Sequence, residues 1–272
     1  MSRGRSSDAV GTPKGTITLA RLWGVPVRVH SSFLLLAVGF SAWRYGRGGL
    51  WEAVDGLIIG TMLFGSVLLH ELGHARMGRV FGVATRDVTL YPFGGVAAMQ
   101  LPPEDSRAEL WIALAGPAVN LALGALGGAL FALRVPLAHE MVLPFIAINL
   151  GMALFNLAPA YPMDGGRVLR AWLAKRQGLI AGTRAAITVS RVIAWGFLLA
   201  SLSGNPALAL AGGFLLLVTG GERRRWDLAE RRAAALAAWR WRALRVPRGG
   251  PFAWRAEGFW LHPRYGRGRR AY

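Results

Sequence analysis

The sequence contains no cysteine. That removes thiolate zinc sites, catalytic thiols, disulfide scaffolds and redox pairs from consideration. Acid is scarce as well: 14 Asp+Glu stand against 32 Lys+Arg, with five His, and only 17% of residues are charged. So few charges leave a soluble domain of this size with little to cover its apolar surface. Long polar or low-complexity runs are also missing, which excludes a disordered chain. The first twenty residues hold no apolar stretch ahead of a small-residue cleavage site, so no cleaved signal peptide is expected.

Of 272 residues, 53% are hydrophobic, the mean hydropathy is +0.36 and the net charge is +18. Nucleic-acid binding accounts for the basic excess and leaves the hydropathy unexplained. A membrane protein accounts for both, if apolar runs span the bilayer and basic residues gather on one side.

Uncharged stretches recur at 31–43, 56–69, 110–133, 141–163 and 192–221. The last contains Ser203-Gly204-Asn205-Pro206, which reads as a turn, so it divides into spans near 185–203 and 206–221. With six spans, 29 of the 32 basic residues fall on one side, and fourteen of them lie in the tail. The positive-inside rule then places both termini in the cytoplasm. The expected fold is an all-α polytopic membrane protein of about six transmembrane helices. Residues 83–100 are β-branched and aromatic, broken by Pro92, Gly94 and Gly95, and predict a small membrane-associated β segment. Residues 15–29 alternate and predict a short strand or an interfacial segment.

The expected organisation is an N-terminal cytoplasmic segment (1–24), a six-span core (25–221) and a basic cytoplasmic tail (222–272). The tail mixes Arg with five of the eleven Trp, a composition suited to anionic headgroups. Nucleic acid is not expected as a partner. The expected location is the cell membrane, as in a bacterial inner membrane.

His70-Glu71-Leu72-Gly73-His74 ends the second apolar run. On a helix the two histidines share one face, one turn apart, and both can reach one zinc ion. Glu71 lies beside that face and can act as general base. Paired structural histidines are the bland alternative. Ionisable groups in a membrane span are costly, which favours a functional reading. Roughly 20 Å of helix separates His70 from Asp55, so the site lies inside the hydrocarbon layer, nearer the cytoplasm.

A catalytic zinc needs a third ligand and an open position. No His or Glu follows His74 at the spacing other zinc proteases use. On position alone Asp87, Glu104, Asp105 and Glu109 stay open beside Asp164. The setting of Asp164 favours it: Asn156-Leu-Ala-Pro159-Ala-Tyr-Pro162-Met-Asp164-Gly165-Gly166 is a rigid, non-helical re-entry, tolerated at membrane depth where it lines a cavity.

H-E-x-x-H on one span with N-x-x-P-x-x-P-x-D-G-G at the end of a later one resembles the site-2 protease family of intramembrane zinc metalloproteases, peptidase family M50. The resemblance covers about residues 15–221. It implies that His70, His74 and Asp164 bind one Zn2+ per chain and that Glu71 is catalytic. It implies that Asn156 holds the substrate carbonyl or its oxyanion. Phe93, Gly94 and Gly95 match a membrane-associated β segment that engages an unwound substrate. Gly116-Pro117-Ala118-Val119-Asn120 matches a small-residue motif of the third span, which marks Asn120 as a candidate substrate contact. Read from spacing alone, Gly116, Asn120, Gly124 and Gly128 suit helix packing, with Asn120 as an interhelical hydrogen bond. Asn149 shares a face with Asn156 and reads as packing.

Family members with a PDZ-type insertion or CBS domains are longer, so a minimal catalytic core is expected here. The implied activity is cleavage of a transmembrane segment in a tethered regulator, such as a pre-cleaved anti-sigma factor. A non-proteolytic scaffold or chaperone and a transporter are the other classes. Intact Glu71 disfavours the first, and the absence of an evident inverted repeat disfavours the second.

Overall fold

The structure is a computed structural model and describes residues 15–91, 94–99, 105–134 and 139–244. The chain divides into two compact units at Arg223/Arg224.

β1 (Thr16–Leu22) and β2 (Val25–His30) form an antiparallel hairpin. Its turn is Trp23-Gly24, with φ of 51° and 83°, the left-handed pair that matches strand twist. Val25, Val27 and Val29 alternate inward and are buried. His30 ends β2, and its Nδ1 accepts from the Ser32 amide, capping the next helix.

That helix, α1 (Ser31–Val80), is interrupted only at Gly48 and Gly49, where Gly49 has φ 76°. An L side chain resists that conformation, which explains glycine there. Arg44 bridges the interruption, donating to the Glu52 carbonyl at 2.9 Å and pairing with the Glu52 and Asp55 carboxylates. The stretch expected to link the first two spans is therefore helical almost throughout.

β3 (Thr85–Tyr91) and β4 (Gly94–Met99) form the hairpin expected near 83–100, with Tyr91 opposite Gly94. β2 pairs with β3 in parallel, Val27 opposite Val88 and Val29 opposite Leu90, so one four-stranded sheet runs β1-β2-β3-β4. The single short strand expected at 15–29 is thus a hairpin of two strands, and β1 lies within the N-terminal segment expected at 1–24. The sheet packs on α1 through Val25, Val29, Phe33, Val67, Val88 and Leu90.

Five further helices follow: α2 (Ser106–Ala132), α3 (His139–Leu157), α4 (Asp164–Gln177), α5 (Leu179–Ala200) and α6 (Pro206–Leu244). A 3-10 turn at Ser201–Ser203 and a left-handed Gly204 (φ 96°) realise the turn expected before Pro206. By length and composition α1, α2 and 179–203 can each cross a membrane, and Met141–Leu157 is a shorter apolar helix. The α1 interruption makes two apolar runs of one helix. Together with α2, α3, α5 and the apolar start of α6 they correspond to the six expected spans. Residues 164–177, expected only as a cytoplasmic connection, form α4. Beyond Arg223, α6 continues with Leu228, Leu236 and Trp239 exposed.

Candidate metal centre

The site forms where α1 crosses α2. Gly73 makes the approach close: a Cβ there would stand 2.8 Å from Val119 Cγ2 and 2.9 Å from the Ala115 carbonyl. The crossing lays His70 and His74 against Gly116. A Cβ at 116 would lie 2.7 Å from His70 Cε1 and 2.6 Å from His74 Cε1. Glycine at 116 thus leaves the space the two rings fill.

Asp164 is the first residue of α4, a position where the helix dipole favours a carboxylate. The two glycines after it let α4 start hard against the preceding chain. A Cβ on Gly165 would overlap the Leu157 and Ala158 carbonyls, and one on Gly166 would stand 2.6 Å from Tyr161 N.

Three ligand atoms converge. His70 Nε2 and His74 Nε2 are 3.1 Å apart, and Asp164 Oδ2 lies 3.2 and 3.1 Å from them. All three residues are buried. His74 Nδ1 lies 2.6 Å from the Ile112 carbonyl, which can only accept, so Nδ1 carries the proton. His70 Nδ1 lies 2.5 Å from Asn120 Oδ1 and donates to it. Each neutral ring then turns a bare Nε2 lone pair towards the centre. Two lone pairs and a carboxylate facing one another repel unless a cation lies between them. Ligands of a tetrahedral zinc, at about 2.0–2.1 Å from the ion, stand about 3.3 Å apart. The triangle therefore fits zinc in both spacing and donor chemistry, with three protein ligands among the described residues.

Three of the four rival carboxylates are occupied elsewhere. Asp87 pairs with Arg28 at 3.1 Å. Asp105 Oδ1 accepts from the Ala108 amide at 2.9 Å and caps α2. Glu109, buried near the start of α2, accepts from Arg170 Nε at 2.9 Å. Glu104 lies outside the described residues. Arg167 connects the two acids of this corner, 3.7 Å from Asp164 Oδ1 and 4.0 Å from Glu109. Arg167 and Arg170 were not singled out from sequence. Their spacing of three on a helix carrying Asp164 was the available signal.

Glu71 is buried beside the triad, under β4: a Cβ on Gly95 would overlap its side chain. Gly94 is in β4 opposite Tyr91, and Phe93 lies outside the described residues. Asn156 is half-buried, and its Nδ2 donates to the Met152 carbonyl at 3.0 Å. The amide of Asn120, expected to meet substrate, is taken up by His70 and by Asn149. It makes the interhelical hydrogen bond that spacing alone suggested.

Comparison with known proteins agrees with this geometry. The description Peptidase family M50 matches residues 58–139. Zinc metalloprotease MJ0392 of Methanocaldococcus jannaschii is 35% identical over 74% of this chain and 58% of its own length. Putative zinc metalloprotease Rip3 of Mycobacterium tuberculosis is 38% identical over 76% of this chain and 56% of its own. The chain thus spans little more than half the length of these curated relatives. The solved structure of a site-2 protease from Methanocaldococcus jannaschii matches 76% of this chain and 94% of that one, at 32% identity and a TM-score of 0.55. With its apolar helices, its buried His-His-Asp cluster and these relatives, the chain belongs to peptidase family M50, the site-2 protease family of zinc metalloproteases.

Proposed function

We propose that the protein is an intramembrane endopeptidase that cleaves transmembrane segments of membrane-tethered proteins. One observation carries the reading: the Nε2, Nε2 and Oδ2 triangle between two histidines of the apolar helix α1 and Asp164 of α4, with Glu71 buried at its side. His70, His74 and Asp164 would hold one zinc ion. When bound, zinc supplies Lewis acidity, polarising a scissile carbonyl and making water a nucleophile near neutral pH.

The protein's own residues do the rest. Glu71 takes the proton from the attacking water and returns it to the departing amide nitrogen. Its burial beneath β4 holds the carboxylate near the ligands. Asn156 is fixed by its bond to Met152, and its second N–H is free in chemistry to meet a substrate carbonyl. A helical substrate hides its carbonyls in its own hydrogen bonds, so it must unwind. β4 ends the sheet, and its outer edge offers backbone groups to an extended segment. The substrate class is a tethered regulator left by a first cut, such as a trimmed anti-sigma factor.

The same reading assigns 25–221 as the catalytic core, with both termini cytoplasmic. It places the Arg/Trp-rich tail, 222–272, on anionic headgroups of the cell membrane. Reconstitution in nanodiscs with transmembrane peptides tests it. Mass spectrometry is expected to find cleavage within the apolar segment, lost on chelation and restored by zinc. Cleavage confined to soluble peptides would contradict it.

A further inference from the structure

Behind His70 lies a chain of amides that no protease mechanism requires. Asn149 Nδ2 donates to the Phe145 carbonyl at 2.9 Å. Asn149 Oδ1 accepts from Asn120 Nδ2 at 2.9 Å. Asn120 Oδ1 lies 2.5 Å from His70 Nδ1. Both asparagines have 0% exposure, so water cannot substitute for either partner.

The direction of this chain is fixed at its far end. The Phe145 carbonyl only accepts, so Asn149 must present its NH2 there and its oxygen to Asn120. Turning Asn149 over would set oxygen against oxygen at Phe145. Asn120 must then present NH2 to Asn149 and oxygen to His70, and His70 must carry its proton on Nδ1. One carbonyl on α3 thereby sets the tautomer of a ring on α1, through α2.

We propose that Asn149, with Asn120 as intermediary, is a positioning residue that selects the Nδ1–H tautomer of His70 and aims Nε2 at the metal. The inference rests on the zinc-site reading of the preceding section. His74 is an internal contrast. Its Nδ1 is held by a backbone carbonyl, that of Ile112, which no side-chain substitution in this network removes. Groups that orient metal-binding histidines typically change metal affinity about 10–100-fold when lost.

Two measurements on the full chain in nanodiscs test the proposal. The first uses the wild-type protein stripped of metal, with 15N NMR of its imidazoles. His70 is expected to carry a proton on Nδ1, whether or not Nε2 also takes one from solvent; a neutral ring protonated on Nε2 alone would overturn the proposal. The second compares zinc affinity, by chelator competition, in wild type and Asn149→Leu, which keeps the branched shape and the number of heavy atoms while removing the amide. The variant is expected to bind zinc about 10–100-fold more weakly, with mixed His70 tautomers and an unchanged His74 signal. Wild-type affinity and tautomer in Asn149→Leu would overturn it. If wild type binds no zinc at all, the zinc-site reading itself fails, which is a different outcome. A ring protonated on Nε2 alone in the wild type overturns the proposal even if Asn149→Leu does not fold.

Discussion

Gly116 is the floor on which His74 lies: a Cβ at that position would stand 2.6 Å from His74 Cε1, well inside van der Waals contact. His70 Cε1 is almost as near, at 2.7 Å. One missing side chain on α2 therefore serves both histidines on α1.

Gly116→Ala is accordingly expected to displace both rings. Zinc affinity should fall about 10–100-fold, the range seen when a metal site's supporting groups are lost. Chelator competition measures it. Ala at Gly128, where a Cβ meets nothing within 4 Å, is the matched control and should leave affinity unchanged.

Gly95→Ala should act on catalysis and spare the metal. Its Cβ overlaps the side chain of Glu71 and touches none of the three ligands among its nearest neighbours. Cleavage is expected to drop by about 10–100-fold, the typical contribution of a positioned acid-base group being about 100-fold or more. Zinc content, measured on the same preparation, should hold at the wild-type level.

Buried Glu109 and partly buried Arg170 make an ion pair between α2 and α4. Arg170→Met strands the Glu109 carboxylate, with Arg167 only 4.0 Å away as partial compensation. The expected loss is about 3 kcal/mol, the lower end of what breaking a buried pair costs. Removing both charges, as Glu109→Leu with Arg170→Met, should recover most of it. Unfolding of the three proteins in matched detergent checks the non-additivity.

Asp164→Ala should abolish stoichiometric zinc binding, while Asp87→Asn should retain it. Metal analysis of the two variants separates them. Asp87 already spends its carboxylate on Arg28 across the β2–β3 pairing, so its loss is expected to perturb the centre of the sheet and leave the metal.

Much of the site was legible because its residues are chemically costly where they stand. Two histidines and a glutamate closing an apolar run invite a metal reading without any structure. Asp164 stood out through the prolines and glycines around it, and the structure supplies the reason for Gly165 and Gly166: there is no room for a Cβ against the 157–161 backbone. Glu109 stayed open as a third ligand, because the partner that claims it lies 61 residues away on another helix.

Long-range pairing was the other hidden element. The β2–β3 contact is parallel and joins segments separated by the whole of α1, and local alternation cannot specify such a partner. Asn149 read as packing for a related reason. Its meaning depends on Asn120 and His70, on two other helices, and only their juxtaposition gives the amide a direction. The helical link at 44–55 is not legible from sequence, because charges on a helix between two apolar runs look the same as charges in a loop. The Arg44 contacts across Gly48 and Gly49 distinguish them.

The most direct measurement takes wild type and Glu71→Gln from one preparation and determines zinc content and peptide-bond cleavage on the same samples. The account predicts about one zinc per chain in both, with cleavage in wild type and none in Glu71→Gln. Undiminished cleavage by Glu71→Gln would contradict it.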